Sequence, residues 1–163
     1  PADMCAAAVE AVRAMGYETI MLGDALEGDA VELGKDHAAQ ALALKASGRK
    51  AALISGGEAT VTLRNRNGRG GRCTAYLLAC ALALKGEPDI CGFAADSDGI
   101  DGSEDNAGGF LWPGILDLMG GAGQAQELLE QDNSYLAFEK ADALLMTGPS
   151  GTNVNDLRVI LVG

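Results

Sequence analysis

Apolar residues recur at helical spacing in several stretches of the chain, and capping residues mark where these stretches begin and end. Asp3 can cap the first helix and Gly16 can stop it. The pattern predicts five helices, over residues 3–15, 29–46, 73–85, 107–119 and 124–140. Within the last stretch, Asp132 or Asn133 is placed to begin a separate short helix that carries Tyr135.

Short apolar or alternating runs lie between these helices and are typical of strands. Six strands are predicted, over residues 17–22, 51–55, 59–64, 89–95, 144–147 and 157–162. Their alternation with helices predicts one α/β domain over residues 1–163, a three-layer α/β/α domain with a mixed, mostly parallel sheet of about six strands. The strands on either side of residues 55–58 leave no room for a crossover helix, so this pair should be antiparallel or bent.

Composition and charge restrict the partners of this domain. The formal net charge of −11 argues against nucleic acid and against an anionic membrane surface. No apolar run reaches the roughly 18 residues that span a bilayer. The four cysteines form no C-x-x-C pair, and buried thiols in a reducing cytoplasm are the simplest interpretation. The only histidine, His37, lies in the middle of a predicted helix and is expected at a surface or helix-face position.

The first candidate site is the basic, glycine-rich turn Gly68-Arg69-Gly70-Gly71-Arg72 before the third helix. Glycines let a backbone approach an oxyanion, and N–H groups at a helix start attract negative charge. An arginine adds a bidentate donor. The turn therefore suits a phosphate or a carboxylate, although a flexible basic turn with solvated arginines explains the spacing equally well.

The second candidate is the acidic loop over residues 96–105, where Asp98 and Asp101 alternate with Gly99 and Gly102. Clustered carboxylates can hold Mg²⁺, which prefers oxygen ligands, or can accept a proton from a substrate hydroxyl. A solvated acidic loop is the simpler alternative.

The third candidate is the loop over residues 147–156, which combines glycines with small hydroxyl and amide side chains. Ser150, Gly151, Thr152 and Asn153 could cradle a phosphate or a diol, and residues of these types also make ordinary turns. All three loops follow predicted strands, and ligands of open α/β sheets bind beyond the carboxyl ends of the strands.

Taken together, the loops resemble one family. Four segments occur in its order: residues 55–62 (SGGEATVT), 68–72 (GRGGR), 98–102 (DGIDG) and 147–156 (TGPSGTNVND). They resemble the MOFRL domain, the C-terminal half of class II glycerate 2-kinases, which are often labelled hydroxypyruvate reductases. One departure is visible. After Gly-Gly-Arg the family usually carries Asn and then an acidic residue, where this chain has Cys73 and Ala75.

The resemblance implies phosphorylation of D-glycerate at its 2-hydroxyl by ATP with Mg²⁺. It also implies a cleft shared with an N-terminal Rossmann-like domain, and a start at Pro1 without an initiator Met fits a cut inside a longer protein. The isolated chain is then expected to be inactive, and its exposed partner-facing surface would favour a homo-oligomer. The alternatives are an NAD(P)H-dependent hydroxypyruvate reductase and a non-enzymatic module that binds an anionic metabolite.

The resemblance also assigns residues to roles. Arg72 and Asp98 are the expected catalytic residues, and Asp98 and Asp101 are the expected metal ligands. Substrate or nucleotide contacts are expected from Glu58, Arg69, Gly70, Gly71, Ser150, Gly151, Thr152 and Asn153.

Overall fold

The computed structural model describes residues 2–152 and 155–163 of the chain. The helices are α1 (Ala2–Ala14), α2 (Ala30–Ala46), α3 (Arg72–Leu84), α4 (Ile115–Leu118), α5 (Ala122–Glu130) and α6 (Ser134–Lys140). The strands are β1 (Glu18–Asp29), β2 (Ala51–Thr60), β3 (Ile90–Asp96), β4 (Gly108–Leu111), β5 (Leu144–Leu145) and β6 (Asp156–Val162). Asn153, a predicted contact residue, lies outside the described residues.

The six strands form one mixed sheet in the order β1-β2-β6-β3-β4-β5. The predicted α/β class and mixed sheet are confirmed, but the expectation of a mostly parallel sheet is wrong. Only β1 and β2 run parallel, while β6 runs antiparallel to both β2 and β3. Strands β3, β4 and β5 also pair antiparallel in succession. The reason is that β3 and β4 are joined by a loop instead of a crossover helix, and that β6 inserts between two strands from earlier in the chain.

The two strands predicted on either side of residues 55–58 are one continuous strand, β2. Gly56 and Gly57 do not turn the chain. A Cβ at Gly57 would lie 2.2 Å from the carbonyl oxygen of Leu26 on β1, and the residue has a φ of 122°. The glycine therefore permits a close approach of neighbouring strands, a common reason for glycine inside a strand.

The helix predicted over residues 107–119 is mostly absent, because Gly108–Leu111 forms strand β4 and only Ile115–Leu118 is helical. A Cβ at Gly108 would lie 1.8 Å from the carbonyl oxygen of Ala94 on β3, so this glycine packs against a strand. The separate short helix predicted near Asn133 is confirmed as α6.

Helices cover the sheet from both sides, which confirms the three layers. Leu53 and Ile54 are consecutive on β2 and belong to core clusters on opposite faces. Helix α1 packs on the face of Ile54, and α2 and α3 pack on the face of Leu53. Within the described residues, no helix is long and apolar enough to cross a membrane.

Helix α3 is the central helix of its layer, with α2 on one side and α5 and α6 on the other. It approaches α2 closely because Gly34 lacks a side chain, since a Cβ there would lie 2.5 Å from the carbonyl oxygen of Tyr76. The packing fixes the first turn of α3 at the edge of the sheet where β2 and β3 end and β6 begins.

Candidate functional site

Arg72, the first residue of α3, is held by carboxylates from three strands. Its Nε donates to both oxygens of Asp156, at 3.0 and 2.9 Å, and its Nη2 donates to Oδ2 of Asp96 at 2.6 Å. Nη1 donates to Oε1 of Glu58 at 3.0 Å. Asp96 ends β3 and Asp156 begins β6 as its paired neighbour, so the register of the sheet places both carboxylates under one guanidinium. The arrangement fixes the Arg72 side chain in one orientation.

A second arginine, Arg158, lies buried behind this group on β6. Its Nε donates to Oγ of Ser55 at 3.0 Å, its Nη2 donates to the carbonyl oxygen of Gly56 at 3.1 Å, and its Nη1 is 3.5 Å from Oδ2 of Asp156. The carboxylate of Asp156 is thus shared between two guanidinium groups. A buried charge is tolerated when it is paired and hydrogen-bonded in this way, because these contacts offset the cost of removing it from water.

Burial changes the proton affinity of these carboxylates. Desolvation raises the pKa of Asp156 to about 7 against the opposing effect of Arg72, and the charge of Asp96 adds to the rise. Desolvation also raises the pKa of Asp96, which Arg72 opposes. Because Glu58, Asp96 and Asp156 surround two arginines, the immediate surroundings of Arg72 carry no excess of positive charge when all three carboxylates are ionised.

Asp101 occupies the helix start that the sequence suggested for an external anion. Its two carboxylate oxygens accept the backbone N–H groups of Cys73 at 2.9 Å and Thr74 at 3.0 Å, and its side chain is fully buried. A Cβ at Gly71 would lie 2.3 Å from Oδ1 of Asp101. The N-terminus of α3 therefore binds a carboxylate of its own chain, which satisfies two of the free N–H groups of that helix end.

The glycines of the predicted anion loop also serve internal packing. A Cβ at Gly68 would lie 2.5 Å from the carbonyl oxygen of Asp132, and one at Gly70 would lie 2.2 Å from Oγ of Ser134. The loop is fastened there by backbone hydrogen bonds, including Tyr135 N–H to the carbonyl oxygen of Arg69 at 2.9 Å. The glycine spacing reflects contacts with the chain's own turn before α6.

Arg69 points to a different partner from Arg72. Its Nη2 donates to Oε2 of Glu104 at 3.0 Å. Its Cζ lies 4.3 Å from the centre of the Tyr135 ring, over the face of that ring. It does not line the cleft at Arg72 described below.

The acidic loop and the third loop lie side by side near Arg72. The backbone N–H of Asp98 donates to Oδ1 of Asp96 at 3.2 Å, and the carbonyl oxygen of Asp98 accepts the N–H of Ser150 at 3.0 Å. Oγ of Ser150 lies 3.1 Å from Oγ1 of Thr152. Arg72, Asp98 and Thr152 are therefore connected through Asp96 and Ser150 at one edge of the sheet.

A cleft of about 770 Å³ opens beside Arg72. Of the predicted contact residues it is lined by Glu58, Gly70 and Gly71, together with Arg72. Asp98, Ser150, Gly151 and Thr152 lie at the same edge but do not line this cleft. A second groove of about 830 Å³, between α2, α3 and α5, shares Val61, Leu63, Gly70 and Gly71 with it.

The described residues do not form a cage for Mg²⁺. Across residues 2–152 and 155–163, no three His, Cys, Asp or Glu side chains are grouped to hold a metal ion. Both oxygens of Asp101 face backbone N–H groups, and Oδ1 of Asp98 accepts the N–H of Ile100 at 2.8 Å. The metal assignment of these two aspartates stays a prediction, and the burial of Asp101 does not favour it.

Sequence reasoning missed the roles of Asp96, Asp156 and Arg158. The usable signal was Arg158 itself, a charged residue inside the apolar run 157–162, because a buried charge requires a partner. Of the two positions expected for His37, on the surface or on a helix face, the surface position is wrong. His37 is buried against α3, with Nδ1 2.7 Å from the hydroxyl of Tyr76, and burial lowers its pKa to about 4.

Comparison with known proteins agrees with this fold and these loops. Residues 51–156 match the model of the MOFRL family. The chain belongs to the MOFRL family. A putative hydroxypyruvate reductase of Agrobacterium vitis is 44% identical over the whole chain, and a D-glycerate 2-kinase of Thermotoga maritima is 35% identical over 98% of it. The chain spans 39% of the length of each of these two relatives.

Solved structures show the same fold. The crystal structure of glycerate kinase from Thermotoga maritima superposes with a TM-score of 0.92, at 35% identity, over 98% of this chain and 39% of that one. A protein of Pyrococcus horikoshii superposes with a TM-score of 0.90, at 30% identity, over 97% of this chain and 37% of that one.

The MOFRL fold also locates the two departures noted after Gly-Gly-Arg. Cys73 is buried beside Asp101, and burial raises the pKa of its thiol. Ala75 lines the groove between α2, α3 and α5. Neither residue lines the cleft at Arg72.

Proposed function

We propose that this chain is the C-terminal domain of an ATP-dependent D-glycerate 2-kinase that forms 2-phosphoglycerate in the cytoplasm. Its relatives named glycerate 2-kinase match it over nearly its full length, and they continue well beyond it. The remainder of such a protein is the proposed N-terminal domain, and the substrates bind between the two parts. The isolated chain supplies half of the site and does not turn over glycerate by itself.

The observation that carries the proposal is the fixed guanidinium of Arg72 at the cleft. Two buried carboxylates orient Arg72, and its Nη1 reaches the cleft residue Glu58. Arginine is charged at every physiological pH, and its planar fork matches a carboxylate or a phosphate. In phosphoryl transfer such a group neutralises charge on the transferring phosphate and positions the acceptor. In the proposed reaction Arg72 either positions glycerate by binding its carboxylate or neutralises the charge on a phosphate of ATP.

The other residues receive proposed roles according to position. Asp98 is proposed to orient the acceptor hydroxyl, because its loop adjoins Asp96 and Ser150. The loop residues Ser150, Gly151, Thr152 and Asn153 and the glycines Gly70 and Gly71 are proposed to contact substrate or nucleotide, with Arg69 at the outer side. Mg²⁺ is proposed to arrive with ATP and to be held mainly by phosphate oxygens and water, since it usually keeps several waters in such sites.

The test compares this chain with the longer protein that contains it. The longer protein should consume ATP only when D-glycerate and Mg²⁺ are present, and 2-phosphoglycerate should be the product. Arg72→Gln in the longer protein should lower turnover by about 10²-fold or more. It should also lower the thermal unfolding midpoint, because Asp96 and Asp156 lose a buried partner, so turnover is compared at a temperature where circular dichroism shows both proteins folded. Near-normal turnover of that variant would remove Arg72 from the reaction.

A second candidate activity is reduction of hydroxypyruvate, favoured by the name of the Agrobacterium vitis relative. The same longer protein, mixed with hydroxypyruvate and a reduced nicotinamide, distinguishes the two. Oxidation of the nicotinamide without glycerate-dependent ATP consumption would replace the kinase proposal.

A further inference from the structure

The three carboxylates on Arg72 differ sharply in exposure. The side chains of Asp156 and Asp96 are 1% and 4% exposed, whereas that of Glu58 is 60% exposed. Nε and Nη2 of Arg72 are therefore committed to buried partners, and Nη1 is paired with a carboxylate that is mostly in water. Of the three contacts, the one with Glu58 is the most easily exchanged, because exposed ion pairs contribute little free energy.

The exposed contact is also the one at the cleft. Glu58 and Arg72 both line the cleft of about 770 Å³, and Asp96 and Asp156 do not. An anionic group that enters the cleft meets Arg72 on the side where Glu58 already supplies a carboxylate. Glu58 offers Arg72 the same pair of acceptor oxygens as the carboxylate of a hydroxy acid, and its charge repels a second anion.

We propose that Glu58 is a competitor of the anionic substrate for the Nη1 edge of Arg72, and that substrate binding displaces it. The inference rests on the proposed function, in which Arg72 receives a carboxylate or a phosphate, and it replaces the expected role of Glu58 as a substrate contact. Glu58 thereby sets the affinity for anions without contacting them, and the buried carboxylates keep Arg72 in place during the exchange.

The test measures the dissociation constant of inorganic phosphate, and then of D-glycerate, for this chain and for Glu58→Gln by titration calorimetry. Glu58→Gln should bind phosphate about fivefold more tightly, the upper range for loss of an exposed ion pair. Glu58→Asp keeps the charge and shortens the reach, and it should bind more tightly than the unaltered chain but less tightly than Glu58→Gln.

A matched control exists on the same sheet. Glu18 is the first residue of β1 and forms an exposed ion pair with Arg49. It lies next to Ala51, the first residue of β2, at the end of the sheet remote from the cleft. Glu18→Gln removes the same charge and releases an arginine, and its affinity for phosphate should equal that of the unaltered chain. Equal tightening in the two Gln variants would show a general charge effect and would overturn the competition.

The remaining outcomes are also decisive. Unchanged or weaker binding by Glu58→Gln overturns the proposal, as does an absence of phosphate binding by both proteins. If Glu58→Asp binds like the unaltered chain while Glu58→Gln binds more tightly, long-range repulsion explains the effect and displacement is overturned. Turnover of D-glycerate by the longer protein is measured separately, so a failed competition leaves the kinase proposal to its own assay.

Discussion

Arg72 donates from Nε to both carboxylate oxygens of Asp156, a residue 84 positions further along the chain. This bifurcated hydrogen bond joins the first turn of α3 to the first residue of β6. The helix start is thereby fixed to the strand that lies between β2 and β3. One ion pair thus orients the candidate catalytic arginine and fastens two layers of the fold together.

Asp156→Asn should destabilise the domain by about 3 kcal/mol at pH 8, because it leaves Arg72 and Arg158 without their shared buried carboxylate. Urea unfolding followed by circular dichroism measures the change. Glu58→Gln alters the exposed contact of the same guanidinium and should cost less than about 1 kcal/mol. Similar losses for the two variants would mean that the buried contact contributes no more than the exposed one.

Gly71→Ala should destabilise the domain by about 1–3 kcal/mol, because the new methyl group would lie 2.3 Å from Oδ1 of Asp101 and would displace the carboxylate that caps α3. Gly123→Ala is the matched control. Gly123 lies in α5, and a Cβ there would meet no atom outside its own helix within 4 Å, so alanine should raise the free energy of unfolding by about 0.5–1 kcal/mol through helix propensity. Opposite signs in urea unfolding confirm the prediction, and a neutral Gly71→Ala contradicts it.

His37 should make the domain less stable as the pH falls below about 6.5. Burial lowers the pKa of His37 to about 4 in the fold, from 6.5 for an unperturbed histidine. Between these values the unfolded chain binds more protons than the folded chain, so the stabilisation is complete above pH 6.5 and is lost as the pH falls towards 4. His37→Gln removes this titration.

The stability advantage of the unaltered chain over His37→Gln should therefore shrink by about 2 kcal/mol between pH 6.5 and pH 5. Urea unfolding at intervals of half a pH unit gives the two curves. Parallel curves across this range would show that His37 titrates alike in the folded and unfolded states.

Thiol reactivity should follow burial. Cys91 is half-buried on the sheet, whereas Cys73 and Cys80 lie in the packed face of α3, and burial raises the pKa of all three thiols. A thiol reagent at pH 8 should therefore modify Cys91 first, and the two α3 cysteines only as fast as the domain unfolds. Mass spectrometry of peptides against time measures the order, and early labelling of Cys73 would contradict the packing of α3.

The sequence predicted the elements that depend on residues close together along the chain. The helix predicted over residues 29–46 is α2, Ala30–Ala46, and Asp29 caps it by accepting the N–H of Glu32 at 3.0 Å. The sequence did not predict β4, because Gly108 lies in a strand for a reason supplied by Ala94 on the neighbouring strand. The same limit applies to Gly57, which allows contact with β1 and does not mark a turn.

The candidate site was predictable in location and much less so in its contacts. Because β2, β3 and β5 run in the same direction, the loops that follow them, which carry Arg72, Asp98 and Thr152, lie at one edge of the sheet. The partners of Arg72 depend on the insertion of β6 between β2 and β3, which no local pattern of the sequence reveals. The capping of α3 by Asp101 likewise depends on how the loop 97–107 folds back on the helix.

The central position of β6 has a consequence for biosynthesis. Residues 51–60 and 90–96 leave the ribosome well before residues 156–162, yet they flank that strand in the sheet. Until β6 emerges, the nascent chain has two strands with open edges and a helix start that lacks its anchoring carboxylate. Open strand edges pair readily with other chains, so this interval of translation is when the domain is most exposed to misassembly and has most need of a chaperone.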